Sequence, residues 1–349
     1  MRVLLQKSQT TFTSKIFLDS GAFSAWRLNK PVNLQEYCDF LDQNKDWVYV
    51  YAALDDIRPG DPEAAAAQSF ENLVYMRKRG LNPIPVYHVS ESLDWLKRML
   101  DLGCDYIGLS ATSIAARGSV DDWYALAWSY LVTASGDPIV KVHAFGEARK
   151  SVLLKFPWAS ADASTWLVGQ RHGTIMFSDG TKLSHRHKIS EQRSSVDIEM
   201  LDGLDVGLFD EMVDKFKIKR SAFDDRKSLQ SMLARSYINA MGFMEIEDEV
   251  NASRPIKFMP RGGLFSTPDT SKYPEVDIDM FRFYLAIGSN STSLPVFNAC
   301  KCQHLLASYF YVNKLNTERF KTFTTDSLKV AMQPPHDTYH NILMEIICA

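Results

Sequence analysis

From Lys15 to about Ser178, short runs of β-branched and aromatic residues alternate with longer stretches of helical period. That alternation is the signature of βαβ units and a parallel sheet. It predicts strands at Ile16–Asp19, Trp47–Asp55, Ile84–His88, Tyr106–Ser110, Ile139–Phe145 and, more weakly patterned, Trp158–Asp162. Helices are predicted between them at Leu34–Asn44, Pro62–Arg79, Ser92–Leu102, Asp121–Thr133 and Glu147–Lys155. Pro62 stands where a first helical turn tolerates proline, Asp61 before it is a ready N-cap, and Gly80 follows Lys78 and Arg79 as a stop. The regular spacing favours an α/β chain folded as a (β/α)8 TIM-type barrel over an open sheet.

After Gly173 the rhythm breaks. Thr174–Leu183 reads as a hairpin around Ser178-Asp179-Gly180, and Asp202–Glu249 as helices with charged faces. The chain is therefore expected to divide into residues 1–180, the first part of a barrel; 181–275, an inserted, largely helical segment that would contact nucleic acid; and 276–349, which closes the barrel. Basic residues cluster at His185-Arg186-His187-Lys188 and at Lys215, Lys217, Lys219 and Arg220, as a solvated face or a phosphate-binding patch. The aromatics from Phe281 to Tyr311 read as core by default, base stacking being the rarer use.

With 349 residues, 46% of them hydrophobic, the chain can bury a large core without staples. A net charge of -3 excludes a global basic field, so any contact with nucleic acid must be a local patch. Five cysteines, odd in number and scattered, read as reduced thiols rather than a disulfide framework. Met1–Ile16 lacks the apolar core of a signal peptide, and no stretch approaches the roughly 18 apolar residues of a membrane span. The expectation is a soluble protein of the cytoplasm, the host's if the chain is phage-encoded.

Polar residues gather where the predicted strands end: Asp19, Asp55, Asp56, His88, Ser110, His143 and Asp162. In a parallel barrel, catalytic groups sit at that rim. Asp19 lies in Phe17-Leu18-Asp19-Ser20-Gly21-Ala22-Phe23, a strand running into a tight turn of small residues that lets a ligand approach the backbone. Taken alone, an aspartate capping such a turn is more often structural than catalytic.

That stretch resembles the Asp-Ser-Gly-Gly-Phe-Gln motif of the tRNA-guanine transglycosylase family. Further matches follow in order: Ala53-Leu54-Asp55-Asp56, Ile84-Pro85-Val86-Tyr87-His88, Ile107-Gly108-Leu109-Ser110, His143-Ala144-Phe145-Gly146, Ala161-Asp162-Ala163-Ser164, and Arg171-His172-Gly173 through Gly180. They span about half the chain, Phe17 to Gly180. The resemblance implies a double displacement at a sugar C1′, with Asp162 as nucleophile and Asp19 as proton shuttle. By analogy with retaining glycosidases, the two carboxyls would lie roughly 5–5.5 Å apart. It further implies a base site in which Asp55, with Asp56 as rival, accepts from the purine, and Gly108, Leu109, His88 and Ser20 complete the pocket. His88 stands where the family generally carries glutamine.

Two departures bear on the substrate. Asp162 is followed by Ala-Ser-Thr-Trp-Leu-Val rather than the Leu-Pro-Thr-Arg that serves tRNA recognition, and a long segment follows the hairpin. The pattern is more similar to the phage and bacterial branch that inserts 7-deazaguanines into DNA. The implied partners are DNA and a base of the 7-cyano-7-deazaguanine type, with tRNA as the alternative polymer and a carboxylate-based nucleoside hydrolase as the alternative reaction. A homodimer stays open, and no organic cofactor is implied. Cys300, Cys302, His304 and His340 resemble the family's structural zinc ligands, with His336 competing; two thiolates and two imidazoles make an acceptable tetrahedral zinc set.

Overall fold

Strand and helix alternate from the first described residue. The computed structural model describes residues 16–45, 48–111, 119–166, 175–176, 182–183, 203–223, 228–260, 269–287 and 306–308. In chain order these give β1 (Ile16–Leu18), α1 (Ala22–Arg27), α2 (Leu34–Asn44), β2 (Val48–Tyr51), α3 (Pro62–Lys78), β3 (Val86–His88), α4 (Leu93–Asp101) and β4 (Tyr106–Ser110). There follow α5 (Val120–Trp128), β5 (Lys141–Phe145), α6 (Lys150–Leu153), β6 (Ser160–Ala163), β7 (Ile175–Met176), β8 (Lys182–Leu183), α7 (Gly203–Lys215), a 3-10 turn at Arg220–Phe223, α8 (Leu229–Ala252), β9 (Arg282–Ile287) and β10 (Leu306–Ser308).

The architecture is mixed α/β around a parallel sheet. Its strand order is β2-β1-β10-β9-β6-β5-β4-β3, and every named pairing in it is parallel. Just beyond β2, Ala52 forms a parallel bridge with Ile84, just ahead of β3. β7 and β8 form a separate antiparallel pair, the hairpin expected at Thr174–Leu183.

Successive side chains of a strand point to opposite faces, and here the two faces have different fates. Ile107 and Leu109 of β4, Val142 and Ala144 of β5, and Ala161 and Ala163 of β6 pack under the helices in the main core. Their neighbours turn the other way, where Phe17, Ala52, Ile84, Val86 and Tyr284 form a second, separate apolar cluster. Its members come from both ends of the strand order as well as its middle.

Local chemistry accounts for most boundaries. Asp61 caps α3 by accepting from the Ala64 N–H with Pro62 in the first turn, as expected. Other elements are shorter than predicted. α5 stops at Trp128 rather than Thr133, because the chain folds back through Gly136, at φ 83°, and Val132 bridges Pro138. β2 ends at Tyr51 rather than Asp55, and Ala53–Asp55 runs on as a loop. α6 spans only Lys150–Leu153, since the Glu147 carboxylate is occupied by the Arg149 guanidinium and backbone N–H ahead of the helix.

The segment 181–275 is not simply an insertion. α8 lies in the connection between β6 and β9, which are neighbours in the sheet, so it serves as a crossover helix. Leu233, Ile238, Phe243, Ile246 and Val250 are buried in the main core. Phe243 stacks on Phe283 of β9 at 4.8 Å, Glu247 accepts from the Phe283 N–H, and Asn251 exchanges two hydrogen bonds with the Phe281 backbone. We therefore expect Phe243→Ala to cost ~3–5 kcal/mol in a single cooperative urea transition. A loss below ~1 kcal/mol, or a separate early transition, would show α8 to be a detachable appendage.

Candidate active site

The loops that follow the C-terminal ends of β1 to β6 surround a cleft of about 300 Å³, lined among others by Asp19, Asp55, His88, Glu91, Phe145 and Asp162. The size suits a small ligand or a single base. Five carboxyl groups line it, counting Asp56, and Asp56 is paired with Arg58 at 2.6 Å.

Asp19 follows β1 directly. Gly21, at φ 76°, turns the chain from strand into α1, a left-handed conformation that glycine adopts without steric cost. The Ser20 and Gly21 N–H groups donate to the Asp19 carboxyl, yet burial, aided by the charges of Asp55 and Asp162, pushes its pKa up to about 7. A group at that value gives and takes a proton near neutrality with equal ease.

Asp55 sits on the loop after β2, which α3 pins in place: Ser69 accepts from the Asp56 N–H and Asn72 donates to the Leu54 carbonyl. Both of its oxygens are engaged, Oδ1 by the Ser20 hydroxyl at 2.8 Å and Oδ2 by His88 Nε2 at 3.1 Å. Each carboxylate oxygen keeps a second lone pair, so Asp55 can still accept from a ligand. Glu91 holds the other end of His88, accepting from its backbone N–H. Burial pushes the Glu91 carboxyl up to about 7. Burial works against a charged His88 ring, but Asp55, then Glu91 and Asp19, outweigh it and raise its pKa above the usual value.

Asp162 lies within β6 and is 4% exposed. Its Oδ1 accepts from the Gly146 N–H at 2.9 Å and is met by His143 Nε2 at 3.2 Å. His143 is fully buried, and burial holds its pKa below the usual value despite the pull of Asp162. Burial therefore favours the neutral form of the ring that faces Asp162.

Of the residues named from sequence, Asp19, Asp55, His88 and Asp162 converge on this one cleft. Three others do not reach its wall. Ser20 is buried and props Asp55. Leu109 points into the helix-side core. Gly108 donates its N–H to the Pro85 carbonyl and lies under the Phe145 ring, which a Cβ there would meet at 2.3 Å. Gly108 and Leu109 are paired within the sheet on both sides, and Ser110, one residue on, lines the cleft.

Glu91 was not singled out from sequence. It belongs to a turn after β3 and carries no motif of its own; its burial alone distinguishes it. The basic cluster around residue 217 is partly spent within the fold, since Lys215 pairs with Glu245 and Arg220 with Asp210. Cys300, Cys302, His304 and His340, and the cluster His185–Lys188, lie outside the described residues. Among the described residues, no helix is long and apolar enough to cross a membrane.

No protein-family model and no curated protein sequence matches the chain.

Asp19 carries a consequence for stability. Its folded pKa lies above the unfolded one, so the folded state holds a proton that the unfolded state has lost between about pH 4 and 7. Its contribution is therefore most favourable in acid and declines as pH rises through 7. Asp19→Asn should stabilise the protein by up to a few kcal/mol at pH 8, reduced by cleft solvent, and progressively less toward pH 4. Urea titrations at three pH values check this; a gain independent of pH, or a loss at pH 8, contradicts it.

Proposed function

We propose that this chain is a guanine transglycosylase that exchanges guanine in DNA for a 7-deazaguanine of the 7-cyano type, by double displacement through Asp162. The observation that carries the reading is the pair of carboxyls, Asp19 and Asp162, on one cleft and electrostatically coupled, with Asp19 raised to about 7. The eight-stranded parallel sheet is read as a closed (β/α)8 barrel. The Ala52–Ile84 bridge between its outermost strands and the apolar cluster drawn from both ends of the strand order support that reading.

In the first half-reaction an Asp162 oxygen attacks C1′, the glycosidic C–N bond breaks with its electron pair passing to the guanine, and protonated Asp19 supplies the proton that neutralises it. In the second, ionised Asp19 removes a proton from the incoming base, the base nitrogen attacks C1′, and the ester bond to Asp162 breaks. Asp19 ends as it began, protonated. Within the pocket, Asp55 accepts from the base's N–H groups through its remaining lone pairs, and His88, bonded to it through Nε2, holds that carboxyl in place.

DNA is preferred to tRNA because the residues after Asp162 lack the tRNA-reading run. The cleft mouth adds support: Phe23 of α1, 41% exposed, lines it and has Trp26, 37% exposed, 5.6 Å away ring to ring, an aromatic pair on which bases flanking an extruded guanine can stack. With labelled guanine and purified protein, exchange into DNA is expected, falling by roughly 10³-fold or more in Asp162→Asn. Undiminished exchange in that variant refutes the mechanism. Label entering only tRNA reverses the choice of polymer, and base release from free nucleosides alone favours a hydrolase.

A further inference from the structure

Behind the Asp162 carboxyl lies a line of buried polar groups that the two-carboxylate chemistry does not require. The strand register sets His143 of β5 beside Ser160 of β6. His143 Nδ1 meets the Ser160 hydroxyl, which in turn meets the hydroxyl of Tyr106 on β4. Phe17 stacks on the imidazole at 4.4 Å and Phe145 meets it edge-on at 4.5 Å, so the ring is held on both sides.

With Asp162 ionised, as attack on C1′ requires, and the His143 ring neutral, donor and acceptor rules leave one direction for this chain. An ionised Asp162 only accepts, so His143 Nε2 must carry the proton. In a neutral ring Nδ1 is then an acceptor, which Ser160 must serve as donor. Its single hydrogen spent, Ser160 must accept from Tyr106. The described hydrogen bonds to Asp162 all fall on Oδ1, while the residue lines the cleft.

Resting on the glycosyl-transfer reading above, we infer that His143 is a positioning residue: with Gly146 it clamps Asp162 through Oδ1 and leaves Oδ2 as the atom presented to C1′. Ser160 and Tyr106 set the imidazole tautomer that makes the clamp possible. A histidine that merely fills the core would not need that tautomer and would not act on turnover.

The test has two arms. Nitrogen-15 NMR of the unliganded wild-type protein should show His143 neutral with its proton on Nε2 at pH 7. Kinetically, His143→Gln should lower kcat for base exchange by roughly 10²-fold with little change in KM, the signature of a misplaced reacting group rather than lost binding. Ser160→Ala should lower kcat in the same sense by a smaller factor while the ring packing stays intact. An Nδ1-protonated or cationic ring overturns the inference whatever the activity, and so does an unchanged kcat in folded His143→Gln. The expected tautomer in a wild-type protein without any exchange activity upholds the hydrogen-bond chain and overturns the glycosyl-transfer reading instead.

Discussion

Carboxylates crowded into one largely buried cleft are the constraint from which the rest of this structure follows. Asp19, Asp55, Glu91 and Asp162 share one cavity. Like charges at close quarters in a poorly hydrated site cannot all be ionised cheaply. The fold resolves the conflict by treating them unequally. Asp19 and Glu91 are pushed toward neutrality, Asp55 is braced by Ser20 and His88, and Asp162 is held by a backbone N–H and a neutral imidazole. Groups of one chemical kind thereby acquire separate roles.

The two histidines of the site show the same principle in reverse. His88 has carboxyl groups at hand on both sides and is raised; His143, walled by Phe17 and Phe145, is lowered although it too touches a carboxylate. What decides the sign is the balance of desolvation against the number of nearby anions. The cleft thus favours the charged form of one ring and the neutral form of the other.

Much of this was legible in the sequence. The short β-branched and aromatic runs and the capped helices located all of β1 to β6, because strand composition and the turn chemistry of residues such as Asp61 and Gly80 are local signals. Strand-end polarity named Asp19, Asp55, His88 and Asp162. Less local features escaped it. Glu91 has no motif, and only the fold buries it. The alternation of β4 commits the Leu109 side chain to the helix side, and that the Phe145 ring covers Gly108 follows only from the folded strands. The break in rhythm after Gly173 makes residues 181–275 read as an insertion; the apolar face of α8 nevertheless packs into the core between β6 and β9.

The Ser160–His143 contact likewise depends on register between neighbouring strands, which residue patterning does not encode. Polar residues at alternate positions of β5 and β6 indicate only that a face is unlike the core. Which of them meet follows from the pairing of the strands.

The central claim is that Asp162 becomes covalently attached to a sugar. Its most direct test is acid-quenching the protein with guanine-containing DNA in the absence of an incoming base, followed by proteolysis and mass spectrometry. The account predicts an adduct on the peptide bearing Asp162, at that side chain. An adduct on any other residue, or none while guanine is released, would contradict it.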